Sequence, residues 1–121
     1  MTDSDKELLE LMEQTSIDYV YGIYAEGLLR HTGVNVDVLE EETKQDVIAK
    51  MKDRIYDIFS QYMLDEIPPE KTKEIEEKTK RGEDANPLIA AALSEQSVNI
   101  TELALRALSS FADTYLDANG L

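Results

Sequence analysis

Apolar side chains recur at three- and four-residue steps along most of this 121-residue chain, with breaks where Gly and Pro fall. That spacing matches the turn of an α-helix, which puts such residues on one face. No run of alternating β-branched and polar residues competes with it, and no Asn-Gly or Asp-Gly joins two such runs. The expectation is an all-α fold: one domain over residues 1–121, a bundle of four to five helices with short connections.

Ser4-Asp5-Lys6-Glu7 has the capping-box pattern, so a first helix is expected to open at Ser4. Leu8, Met12, Tyr19, Ile23 and Leu28 carry its stripe, widened by Leu9, Leu11, Val20 and Tyr24, and Gly33 stops it after Thr32. Gly22 and Gly27 lie inside it; each costs about 1 kcal/mol against Ala, which points to a neighbouring backbone packed close. After Val34-Asn35-Val36, with Asp37 and Glu40 as one capping option, Leu39, Val47, Ile48, Met51, Ile55, Ile58, Phe59, Tyr62 and Met63 keep the period to Asp65. Pro68-Pro69 ends that second helix. A third runs from Pro69 to Arg81, with Gly82 beyond it. Asn86-Pro87 begins a short helix through Leu93, and Asn99 caps a last one that carries Ile100, Leu103, Leu105, Ala107, Leu108, Phe111, Tyr115 and Leu116 and closes at Gly120.

The third helix differs from the rest. Between Glu70 and Arg81 the only large aliphatic residue is Ile75, among five cations and four carboxylates. It can bury little, so residues 67–83 read as a charged surface helix or a mobile connector. Pairs such as Glu74–Lys78 and Glu76–Lys80 would support it locally. An electrostatic latch onto an acidic helix is the sharper alternative, and salt would weaken it.

Charge narrows the function classes. The chain carries 26 acidic against 12 basic side chains, a formal charge of −14. That disfavours nucleic acid and anionic lipid as partners. The longest nearly apolar stretch, Ile17 to Leu29, is interrupted by Asp18 and Glu26 and is shorter than a bilayer span. The acidic N-terminus lacks the basic-then-apolar order of a secretory signal, so a cytoplasmic location is expected.

Several chemistries fail on residue type. With no Cys and one His, disulfides, thiolate nucleophiles and multi-His metal sites are excluded. His31 sits in the last turn of the first helix, where a cation complements the helix dipole; no nucleophile elbow accompanies it. Glu7-x-x-Glu10-x-x-Glu13 supplies half of the carboxylate pattern with which all-α nucleotide pyrophosphohydrolases hold Mg²⁺. The second helix has Asp53 and Asp57 four apart instead of a Glu-x-x-Asp. Asp117, Asn119 and Gly120 look superficially like a calcium loop but lack its closing Glu, and read as a helix end. No catalytic residue, metal ligand or cofactor is assigned.

Six tyrosines are the most suggestive residues: Tyr19, Tyr21 and Tyr24 in the first helix, Tyr56 and Tyr62 in the second, Tyr115 in the last. Most should line the core or its rim. Tyr21 lies off the main stripe; exposed with Leu28 or Leu29 it would make a contact patch. Ala90-Ala91-Ala92 permits close helix approach, for a core or for a dimer seam.

From about Leu39 to Leu116 the order of features resembles a domain-of-unknown-function family of short acidic helical bacterial proteins. The shared features are Leu39-Glu40-Glu41-Glu42-Thr43-Lys44, Arg54-Ile55, Leu64-Asp65-Glu66-Ile67-Pro68, Arg81-Gly82-Glu83-Asp84 and Ile100-Thr101-Glu102-Leu103. The Tyr-rich first helix departs from that pattern. The resemblance implies a helical fold and no activity.

Three functions are carried forward. The first is a small acidic non-catalytic protein–protein interaction module, self-associating or with another protein, using Tyr21, Leu28 and Leu29. The second is an acidic mimic of nucleic acid that inhibits a basic protein. The third is a metal-dependent hydrolase using Glu7, Glu10, Asp53 and Asp57.

Overall fold

In the computed structural model, which describes residues 2–120, the chain opens two residues earlier than the Ser4 pattern suggested. Helix α1 spans Asp3–Gln14. Thr2 Oγ1 accepts from the Asp5 amide at 3.1 Å, and Asp5 Oδ2 accepts from the Thr2 amide at 3.1 Å. The same three-residue spacing is satisfied by Thr2 and Asp5.

The expected single first helix is two. At Thr15 the hydroxyl donates to the Leu11 carbonyl at 2.6 Å, and Ser16 Oγ accepts from the Tyr19 amide at 3.0 Å. The Thr15 hydroxyl adds to the bond that its own amide already makes to the Leu11 carbonyl, while Ser16 Oγ replaces the helical acceptor of the Tyr19 amide, and the chain breaks and restarts there. Helix α2 then spans Ile17–His31. The break resets the phase of the apolar stripe. On α2 the inward residues are Val20, Tyr21, Ala25, Leu28 and Leu29, with Ile17 and Tyr24 half-buried beside them. Tyr19 and Ile23, expected in the core, face solvent.

A short 3-10 turn at Val36–Val38 leads into α3, Glu41–Asp65. Asn35 Oδ1 accepts from the Asp37 amide, whereas Glu40, at the start of α3, makes no side-chain cap. Helix α4 spans Pro69–Lys80, α5 spans Ala85–Glu95 and α6 spans Ile100–Ala118. Asp84, not Asn86, caps α5, and Asn99 caps α6 as expected. Gly33, Gly82 and Gly120 follow α2, α4 and α6 with positive φ, the left-handed geometry that closes a helix. Ser97 does the same after α5 at φ 55°.

Six α-helices and no strand occur among the described residues, so the all-α class holds and the helix number exceeds the expected four to five. None of these helices is long and apolar enough to cross a membrane.

The main core lies among α1, α2, α3 and α6. Its fully buried members include Val20, Tyr21, Ile55 and Leu108. Helices α3 and α6 form its axis and run antiparallel. The Arg106 guanidinium, early in α6, lies 5.2 Å from the ring centre of Tyr62, late in α3. At the other end Tyr115 and Ala118 face Val47 and Met51. Among the described residues no polar or charged residue is buried, and the Tyr21 hydroxyl donates to the Ala104 carbonyl at 2.7 Å. That bond makes the deepest polar atom cheap to bury.

A second, thin cluster joins α4 and α5: Ile67, Ala92 and Leu93 are buried, with Ile75 and Ile89 packed against them. No residue of α4 itself is buried. The expected Glu74–Lys78 pair forms at 3.2 Å, and Lys71 reaches Glu95 of α5 at 3.5 Å. The charged helix therefore meets α5 through a thin set of contacts, with Ile75 its one large apolar side chain there and Lys71 its ion-pair link.

Candidate binding groove

The expected contact patch of Tyr21, Leu28 and Leu29 does not exist on the surface: all three are buried, Tyr21 completely. The shift in phase at Thr15-Ser16 turned them inward. Tyr21 packs edge-on against Tyr56, with ring centres 5.1 Å apart. Burial, and the neighbouring Tyr56, push its hydroxyl pKa far above the usual value. Tyr56 in turn donates to Asp18 at 2.8 Å, and Lys52 pairs with the same carboxylate at 2.9 Å. Those two hydrogen bonds, Lys52 first, hold the Asp18 carboxyl below its ordinary value. Burial and the bond to Asp18 push Tyr56 up to about 12. The network ties the α2 surface to α3 and acts as a structural clasp.

Glu7, Glu10, Asp53 and Asp57 do not converge. Glu7 borders a cleft with Leu8, Tyr24 and Leu108, whereas Asp57 borders a groove between α3 and α6. No group of three or more His, Asp or Glu side chains able to hold a metal occurs among the described residues. His31 is exposed at the last turn of α2, as the helix-end reading requires. Asn119 and Gly120 terminate α6, the Asn119 side chain donating to the Tyr115 carbonyl at 2.7 Å.

Gly22 and Gly27 do not mark a close backbone approach within the chain. A Cβ on Gly22 would meet only the Lys52 side chain at 3.9 Å, and one on Gly27 would meet nothing within 4 Å.

The groove between α3 and α6 has a volume of about 540 Å³. That is within the range of clefts that receive ligands or side chains of a partner. Met51 and Phe111, both nearly buried, form its floor; Val47, Ile58, Tyr115 and Ala118 line its walls. Phe111 and Tyr115 stack with ring centres 5.8 Å apart, and the Tyr115 hydroxyl shares a hydrogen bond of 3.2 Å with Thr32 Oγ1. These contacts fix the aromatic wall to α2.

Lys50 and Arg54 lie one turn apart along the α3 rim, with Asp57 further along it and Thr114 on the α6 side. Neither cation makes an ion pair or a side-chain hydrogen bond among the described residues. By contrast, Arg30, Lys44, Lys52, Lys71 and Lys78 are all paired. The result is an apolar trough edged by two exposed cations outside any ion pair, with one carboxylate, Asp57, on the same helix, in a chain of net charge −14.

Sequence reasoning missed this groove, although a signal was present. The α3 stripe holds adjacent pairs, Val47-Ile48 and Ile58-Phe59, so it is wider than one neighbouring helix covers. Ile48 and Phe59 are buried; Val47 and Ile58 are the surplus that walls the groove.

Compared with family models, with curated proteins and with solved structures, the chain finds no match.

Proposed function

We propose that this chain is a non-catalytic protein–protein interaction module that receives an amphipathic helix of its partner in the α3–α6 groove. The observation that carries this reading is the pairing of an apolar floor with two unpartnered cations on one rim. The groove runs from Val47 to Ile58, about 16 Å along α3, and lies open to solvent. That shape suits a third helix laid beside two others. Apolar side chains one turn apart would enter over Met51 and Phe111. Carboxylates beside them would meet Lys50 and Arg54, which set orientation and selectivity more than raw affinity.

The test uses a fluorescein-labelled model helix with a Leu stripe bordered by Glu, read by fluorescence anisotropy. The expected result is saturable binding that weakens with salt. Binding should fall at least about tenfold in the Lys50→Glu/Arg54→Glu double variant. Absence of binding, or equal affinity in the double variant, overturns the reading.

A further inference from the structure

Among the described residues, four of the five large apolar side chains left open to solvent, Tyr19, Ile23, Val34 and Val38, lie on α2 and the linker that follows it. Tyr19 and Ile23 are 54% and 47% exposed. They stand one helical turn apart, and Gly27 continues the same face one turn on. Gly27 has negative φ and open space where its side chain would be. Neither a turn nor a contact within the chain therefore accounts for a mid-helix glycine, which weakens a helix relative to Ala.

The charges around this face are balanced. Lys52 pairs with Asp18 at 2.9 Å and Lys44 with Glu26 at 2.9 Å. Arg30 reaches Asp37 at 3.0 Å and Glu26 at 3.5 Å. Three carboxylates meet three cations, with Glu41 also near Lys44, so the face carries little net charge in a chain whose total is −14. Lys44 holds the Glu26 carboxyl, and Arg30 the Asp37 carboxyl, below their ordinary values.

We propose that this face is the surface through which two copies of the chain pair, α2 against α2 about a two-fold axis. Two copies of such an acidic chain repel unless they meet through a neutral region, and this is one. An antiparallel pair is self-complementary, as a two-fold contact must be. Ile23 of each copy seats over Gly27 of the other, in the space that no atom of its own chain fills. Tyr19 of each copy then comes opposite Arg30 of the other, an attractive pairing of ring and cation. The helix dipoles oppose. A basic partner would instead be drawn to unpaired carboxylates such as Glu7, Glu10 and Glu13 on α1. This pairing is separate from the α3–α6 groove and does not depend on it.

The test is the solution mass of the full chain, by sedimentation equilibrium over a concentration series at low and high salt. A dimer is expected, and salt should strengthen it, because screening removes repulsion between like-charged copies while the apolar seat is unaffected. Ile23→Glu and Gly27→Gln should each weaken pairing at least about tenfold with helicity unchanged. Gly27→Gln improves helix propensity at an open position, so it decides the matter if Ile23→Glu folds poorly. At high salt, where the added negative charge is screened, Lys50→Glu/Arg54→Glu should leave the dimer intact. A monomer at millimolar concentration, or a dimer indifferent to Gly27→Gln, overturns the proposal. So does a dimer broken at high salt by the groove variant alone.

Discussion

The helices α1, α2, α3 and α6 and the pair α4 and α5 belong to one chain but are held by different amounts of the same force. The first group, with Val36 of the 3-10 turn, buries eighteen apolar residues in one continuous cluster, including Tyr21, Ile55 and Leu108. The second buries Ile67, Ala92 and Leu93 and supplements them with exposed ion pairs. Hydrophobic burial scales with area, and exposed pairs contribute under about 1 kcal/mol each. The pair α4 and α5 is therefore the part expected to open first, on a free-energy scale well below that of the core.

The largest effect should come from the core. Ile55→Ala removes a fully buried side chain between α2, α3 and α6 and should cost about 2–5 kcal/mol. Denaturant unfolding should show it in full, with one cooperative transition. Leu93 is just as buried, yet Leu93→Ala should shift the global midpoint less. Its loss should instead speed hydrogen exchange in α4 and α5 while the α3 and α6 amides stay protected. Equal loss of protection everywhere would erase the distinction between the two regions.

Tyr21→Phe comes next. It deletes the bond to the Ala104 carbonyl and should cost about 1 kcal/mol, with the Tyr56 contact kept. A smaller change is expected on acidification. Asp18 and Glu26 both sit below their ordinary carboxyl values of 3.8 and 4.5, held there by Lys52 with Tyr56 and by Lys44. Unfolded chains would bind those protons first. The stability these groups add is thus complete above the ordinary values and is lost as pH falls toward the lowered ones. Asp18→Asn should flatten the acid limb of a plot of Tm against pH, and salt should shrink the difference.

Smallest of all is Lys71→Ala, which removes the Lys71–Glu95 link between α4 and α5. It should leave the unfolding midpoint unchanged and show only as faster exchange in α4. A larger effect would mean that the charged helix is latched by electrostatics and not by Ile75.

How much of this was legible in the sequence follows from the range of the forces involved. The α3 and α6 stripes, the poverty of α4, and the helix ends at Gly33, Gly82 and Gly120 depend on neighbouring residues, and they were readable. The break at Thr15-Ser16 is also local, but two hydroxyls in an otherwise continuous period gave a weak signal. Missing it reversed the roles of Tyr21 and Ile23. The error carried over to the site, because the wrong α2 residues were assigned to the surface. The groove depends on which helix α6 packs against and how far along. Neither is encoded in spacing alone, although the surplus width of α3 hinted that one face would stay uncovered.

The connection through α4 and α5 starts at Ile67-Pro68, just past the end of α3, and returns through Val98 to the start of α6. Met63, Val98 and Ile100 pack against both apolar clusters there. The chain thus makes a detour that departs from and rejoins the same end of an antiparallel pair. Such a segment is a natural place for transplantation: α4 and α5 could be exchanged for a short turn, or for a foreign domain, with the remaining four helices keeping their own interior.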